Sequence, residues 1–184
     1  EEVFCSICDT IGSHVKRIPD GETGDRKNWI FFQRKMLANH PAMEIDSNVP
    51  KFQFKQWDGK VIREVDLLKI KDGVNLDQLV FPIGYSEHAI ESFKNFERLQ
   101  STGKIPSDVK FQVSLPTPFA TGYNYISPNG RDQFLEIYEK SFVIDVNKIL
   151  DSIPNKNLAI QWDVCQEILI FNNYFPNRSE HYKD

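Results

Sequence analysis

The sequence predicts an α/β fold, a parallel sheet joined by crossover helices, on three observations. Short apolar runs with strand character alternate with longer segments of helical period. The runs at 15–18, 110–115 and 158–162 are separated by stretches long enough to hold a helix, as a parallel connection requires. One region departs from this rhythm, where Asp58-Gly59 sits between apolar residues Phe52, Phe54, Val61, Ile62, Val65 and Leu67. Asp-Gly between such runs is a strong hairpin signal, so residues 51–70 read as a β-hairpin inserted between regular units.

Each element follows from local pattern. Val3, Phe4, Ile7, Cys8 and Ile11 recur at helical spacing, which predicts a first helix from Glu2 to Ile11 with Gly12 as its stop. Val15-Lys16-Arg17-Ile18 is a short strand closed by the turn sequence Pro19-Asp20-Gly21. A second helix is expected over 28–38, with Trp29, Phe31, Phe32 and Met36 on its apolar face. A third starts at Ser86 as N-cap and runs to Gln100, with Ile90, Phe93, Phe96 and Leu99 turned inward. The long helix Arg131–Ser152 carries Leu135, Tyr138, Phe142, Val146 and Ile149 as one stripe, and Pro154 stops it. A last helix is expected over 164–172.

Composition removes several classes of function. Of 184 residues 40% are apolar, too many for a disordered tail. No apolar run approaches the roughly 18 residues of a membrane span. A net charge of −4 and a pI near 5.6 argue against an electrostatic nucleic-acid binder. Only three cysteines occur, Cys5, Cys8 and Cys165, which suits a reducing, cytoplasmic setting. Cys5 and Cys8 have redox or zinc spacing, but no second pair follows, and their place on an apolar helix face reads as packing. His14, His40, His88 and His181 are scattered without metal-ligand spacing, so no metal site is expected on this chain. Neither a nucleophile elbow around Ser114 nor a glycine-rich phosphate loop is present.

Chemistry collects at the ends of the three strands. The first leads into Asp20-Gly21-Glu22, with Arg26 beyond; the second carries Gln112 and Ser114, then Thr117; the third carries Gln161 and Asp163, with Glu167 a turn later. Carboxyl ends of parallel strands share one rim, so these loops are expected to converge on a small-molecule site. Glu22 and Asp163 would hold a substrate ammonium, or one would serve as a base if burial raised its pKa. Against this, an acid beside glycine is commonly a turn or helix cap, and Arg26 can pair with Asp25 or Glu22 at the surface. Gln112 and Gln161 read equally as internal hydrogen-bonding groups and as ligand contacts.

The segments Arg17-Ile18-Pro19-Asp20-Gly21-Glu22-Thr23-Gly24-Asp25-Arg26-Lys27-Asn28-Trp29, Phe111-Gln112-Val113-Ser114-Leu115-Pro116-Thr117-Pro118 and Leu158-Ala159-Ile160-Gln161-Trp162-Asp163-Val164 together carry a resemblance. The chain resembles, in order and along most of its length, uncharacterised bacterial and fungal proteins of the superfamily containing cobalamin-independent methionine synthase and uroporphyrinogen decarboxylase. That resemblance implies a (β/α)₈ TIM barrel. About three barrel strands are countable here, so residues 1–184 are expected to be an incomplete barrel domain, its amino-terminal half, without the first strand and the carboxyl-terminal half. The opening Glu1-Glu2-Val3-Phe4 already has helical character and lacks a methionine, which fits that expectation. An open barrel piece would expose sheet edges and self-associate.

By the same resemblance Glu22 would bind a homocysteine-like amine and Asp163 would also serve the substrate, making these the catalytic pair. Asp20, Arg26, Gln112, Ser114, Thr117, Gln161 and Glu167 would contact substrate. The chain departs from the synthase in having Asp-Gly-Glu for His-Gly-Glu, and Val164-Cys165 for Glu-Pro. The implied activity is methyl transfer to a small thiol or amino-acid-like substrate, with zinc held by ligands in later strands and not on this chain. The alternatives are a decarboxylase-like lyase, gripping a polycarboxylate through Arg17, Arg26 or Lys27, and a non-catalytic small-molecule-binding barrel.

Overall fold

Thirteen regular elements follow one another in the computed structural model, which describes residues 1–172. They are α1 (Glu2–Ile11), β1 (Arg17–Pro19), α2 (Phe31–Ala38), β2 (Met43–Ile45), β3 (Phe52–Lys55), β4 (Val61–Val65), β5 (Leu68–Ile70), α3 (Tyr85–Ser101), β6 (Lys110–Pro116), α4 (Pro118–Tyr125), α5 (Arg131–Ser152), β7 (Leu158–Asp163) and α6 (Gln166–Phe171). The fold class is α/β, with a parallel three-stranded sheet. The chain divides into two compact units.

The first unit comprises Glu1–Trp29, Ile83–Leu115 and Phe142–Asp163. Its sheet has the order β1-β6-β7, so the strand in the middle of the sequence lies in the middle of the sheet. β1 runs parallel to β6, with Ile18 opposite Phe111. In β6 the buried Phe111, Val113 and Leu115 alternate with the half-buried Gln112 and Ser114, a period of two that sorts apolar and polar groups onto opposite faces. The apolar face meets helix side chains: Phe4 of α1 and Phe93 and Phe96 of α3 gather around Phe111 with ring centroids 5.5–6.1 Å apart. Edge-on and tilted contacts of this kind hold aromatic cores together.

The second unit comprises Ile30–Pro82, Pro116–Ser141 and the described residues from Val164 onward. The expected hairpin is present: β3 pairs antiparallel with β4, and Lys60 N donates to Asp58 Oδ1 at the turn. The pairing extends further than the sequence reading expected. Met43–Ile45 and Leu68–Ile70 form a second antiparallel ladder, β2 with β5. Residues 43–45 are too few to show alternation in the sequence. Also unexpected is α4, which starts on Pro118 at its first turn; Gly122 there lies so close to Leu135 that a Cβ would sit 2.6 Å from Leu135 Cδ2. The small residue admits the neighbouring helix, and its low helix propensity hid the element from sequence.

Several boundaries differ for local physical reasons. Gly12 does not end α1 with a left-handed cap: its φ is −54°, and the chain continues into a 3₁₀ turn over Gly12–His14. A Cβ there would lie 3.4 Å from Cys8 Cβ, an ordinary contact, so packing does not demand the glycine either. The first strand begins at Arg17 rather than at residue 15. The second helix begins at Phe31, because 24–28 form a 3₁₀ turn and Trp29 takes φ +52°. Ser86 is not an N-cap. The cap position is Gly84, at φ +76°, and Ser86 N donates instead to Asp145 Oδ2 of α5 at 2.9 Å. A carboxylate from a neighbouring helix therefore does the work expected of a serine. No helix among the described residues is long and apolar enough to cross a membrane.

Candidate functional site

The site is built where β1 runs out. Pro19 ends the strand, and the next five residues contain three with positive φ: Gly21 at +80°, Glu22 at +49° and Gly24 at +68°. Asp20 organises this loop. Its Oδ1 accepts the Glu22 backbone N–H at 2.9 Å, an Asx turn, and its Oδ2 accepts Ser92 Oγ of α3 at 2.7 Å. Arg26 closes on the same carboxylate, with Nη2 2.6 Å from Oδ2 and Nη1 3.4 Å from Oδ1. Both side chains are almost nine-tenths buried, at 12% and 11% exposure. Arg26 therefore pairs with neither Asp25 nor Glu22 at the surface.

Glycine at 21 is required twice over. Its φ is open to glycine at little cost, and a Cβ there would meet Val3 Cγ1 at 2.8 Å. Glu22 has no such freedom, and a non-glycine residue in the left-handed region is strained. The turn set by Asp20 holds it there, an arrangement typical of functional loops.

Alternation along β6 and β7 supplies the rest. Gln112 and Ser114 share one face of β6, and Gln161 and Asp163 share one face of β7. A chain of hydrogen bonds crosses between the strands. Gln112 Nε2 donates to Ser114 Oγ at 3.2 Å and to Gln161 Oε1 at 3.0 Å, and Gln161 Nε2 donates to Asp163 Oδ1 at 2.8 Å. The two glutamines thus fix each other and orient Asp163. The two glutamines hydrogen-bond to each other, with Gln112 half-buried and Gln161 exposed.

Electrostatics link the two halves of the rim. Burial is the largest influence pushing the Glu22 carboxyl up from the ordinary glutamate value; Arg26 opposes it, and the Asp20 and Asp163 carboxylates add to the rise. Asp20 goes the other way. Burial alone would raise it, but Arg26, the Glu22 N–H and Ser92 together hold it below the usual range. The pair behaves as two environments pushing neighbouring carboxyl groups apart, which separates a structural acid from one able to exchange a proton. Between them lies a cavity of about 10 Å³ lined by Glu22, Arg26, Tyr85, Gln112 and Ser114, about the scale of one water. Asp20 and Arg26 also wall an open groove of about 530 Å³ together with Thr23, His88, Glu91 and Ser92.

Seven of the nine expected site residues, Asp20, Glu22, Arg26, Gln112, Ser114, Gln161 and Asp163, thus lie together in the first unit. Thr117 and Glu167 belong to the second unit and are not in the hydrogen-bonded group; each buries an oxygen, Oγ1 and Oε2, without a partner. Ser92 was missed. A serine on an amphipathic helix carries no signal of its own until the helix is placed against the loop. Of the histidines, His40 accepts the Ala42 N–H through Nδ1, and burial lowers its pKa; His181 lies outside the described residues. Among the described residues no three His, Cys, Asp or Glu side chains come together as metal ligands. Cys5 and Cys8 are half-buried on α1 and Cys165 is exposed, all as free thiols.

Comparison with known proteins returned no matching family model, no matching curated protein and no matching solved structure.

Proposed function

We propose that the three parallel strands are part of the wall of a methionine synthase-like (β/α)₈ barrel, whose activity is methyl transfer to a small, amine-bearing thiol or amino-acid-like substrate. Glu22 and Asp163 receive the substrate ammonium. Ser114, Gln112 and Gln161 hold Asp163 in place and offer neutral donors and acceptors to the rest of the molecule. The observation that carries this reading is the run of polar groups along the strand ends, with Glu22 lining a cavity beside Gln112 and Ser114, and Gln112 hydrogen-bonded through Gln161 to Asp163. An incoming ammonium reverses the repulsion between Glu22 and Asp163, so binding draws the proton off Glu22. Affinity for a protonated amine therefore rises with pH through the raised Glu22 pKa.

The zinc that the resemblance implies would be held by ligands in later strands of the barrel; among the described residues no three His, Cys, Asp or Glu side chains come together. A decarboxylase-like lyase would need free cations at the rim. Arg26 is committed to Asp20, which leaves Arg17 and Lys27 as the cations for a polycarboxylate. The test uses the full chain with homocysteine and its deaminated analogue as probes. Glu22→Gln and Asp163→Asn are each expected to weaken homocysteine binding about tenfold, the worth of one charge-assisted contact. The analogue, lacking the ammonium, should bind weakly to every form. Equal binding of both probes, or unchanged affinity in both variants, would sink the proposal. Methyl transfer to the bound thiol by the complete barrel separates an enzyme from a non-catalytic binding barrel.

A further inference from the structure

The second unit contains a separate polar cluster that the strand-end site does not use. Pairing in the hairpin sets it up. Phe54 stands opposite Arg63 and Phe52 opposite Val65, so these four share a face, while Gln53 and Glu64 occupy the other and hydrogen-bond to each other. On the first face the Arg63 guanidinium carbon sits 4.7 Å from the centre of the Phe31 ring. Phe31 in turn meets Tyr125 edge-on at 6.2 Å, and Tyr125 lies 6.2 Å from Phe54. Arg34, one helical turn after Phe31, donates through Nη2 to the Asp66 carbonyl at 2.9 Å, while its buried Nε–H has no acceptor. Lys35 Nζ approaches the Phe31 ring from 5.9 Å.

Neither Arg34 nor Arg63 has a carboxylate partner among the described residues. The nearby acids are engaged elsewhere, Asp66 with Lys51 and Glu64 with Gln53. Phe31 links the cluster, carrying Arg63 over its ring and meeting Tyr125 edge-on, and the Tyr125 hydroxyl makes no hydrogen bond among the described residues. Burial outweighs the pull of Arg63 and Arg34 and pushes the phenol up to about 12, so it stays protonated and remains a donor. The buried Arg34 Nε–H is the kind of donor that calls for a partner, while Arg63 is exposed on the hairpin face it shares with Phe54. Guanidinium forks and a phenol donor suit a planar or tetrahedral oxyanion, and the aromatic walls suit an apolar body attached to it.

We infer that Arg34, Arg63 and Tyr125 form a binding site for an oxyanion, the phosphate or carboxylate group of a small ligand, within the hairpin unit. The test follows the arginine Nε–H resonances of the full chain while inorganic phosphate and benzoate are added in separate titrations. Saturable shifts at Arg34 and Arg63 are expected with at least one probe; phosphate alone identifies a phosphoryl ligand, benzoate alone a carboxylate. Arg63→Gln should weaken binding about tenfold or more, and Arg63→Lys, which keeps the charge but loses the fork, should recover little of it. Lys60→Gln, at the hairpin turn, should leave affinity unchanged. The inference is overturned if neither probe saturates at millimolar concentration, if Arg63→Lys binds like the parent, or if Lys60→Gln weakens binding as much as Arg63→Gln.

Discussion

The two units leave charges of opposite sign uncommitted. At the strand ends of the first, the cation Arg26 is locked onto Asp20, and the groups left to face a ligand are the acids Glu22 and Asp163. Around the hairpin of the second unit Asp66 pairs with Lys51 and Glu64 with Gln53, and Arg34 and Arg63 are without a carboxylate partner among the described residues. What a ligand meets is the charge that remains after internal pairing. The net charge of −4 describes neither region.

The largest test of that contrast is a pair of truncations. Arg26→Ala strands a buried carboxylate and is expected to cost about 3 kcal/mol in urea unfolding, whereas Arg63→Ala, on an exposed arginine over a ring, should cost under about 1 kcal/mol. Similar losses would mean that the two arginines are equally structural. Glycine substitutions sharpen the point. Gly21→Ala combines a positive φ with contact against Val3 and should destabilise by about 2 kcal/mol or more. Gly59→Ala at the hairpin turn has a similar φ of +83° but nothing within 4 Å, and should cost about 1 kcal/mol. The difference between them isolates the packing of the strand-end loop.

The smallest effect concerns pH. Glu22 has a raised pKa in the folded chain, so its stabilising contribution is present below the ordinary glutamate value and is lost as pH rises through the raised one. Asp20 is the reverse: its contribution is present above the ordinary aspartate value and is lost as pH falls through the lowered one. Glu22→Gln should therefore stabilise the chain at neutral pH by less than about 1 kcal/mol, since Glu22 is only half-buried, and the gain should vanish in acid. A gain that grows as pH falls would contradict the assignment of the proton to Glu22.

The three parallel strands and the helices alternating with them at α1, α3 and α5, the hairpin at Asp58-Gly59 and the limits of α1 and α5 were legible in the residues because each rests on periodicity or turn chemistry within a few positions. So was the grouping of Glu22, Gln112, Ser114, Gln161 and Asp163, since the direction of a parallel strand determines which end its loop occupies. Other features depend on partners distant in the chain. Asp145 caps α3 in place of Ser86, Ser92 joins Asp20, Arg26 turns inward, and Gly122 hides a helix by making room for Leu135. The arginine cluster around Phe31 and Tyr125 belongs with these, because only the hairpin register and the placement of α2 bring it together. Local sequence determines which conformations are cheap; which polar groups find each other, and which stay unpaired, is settled only when folding has used up the available partners.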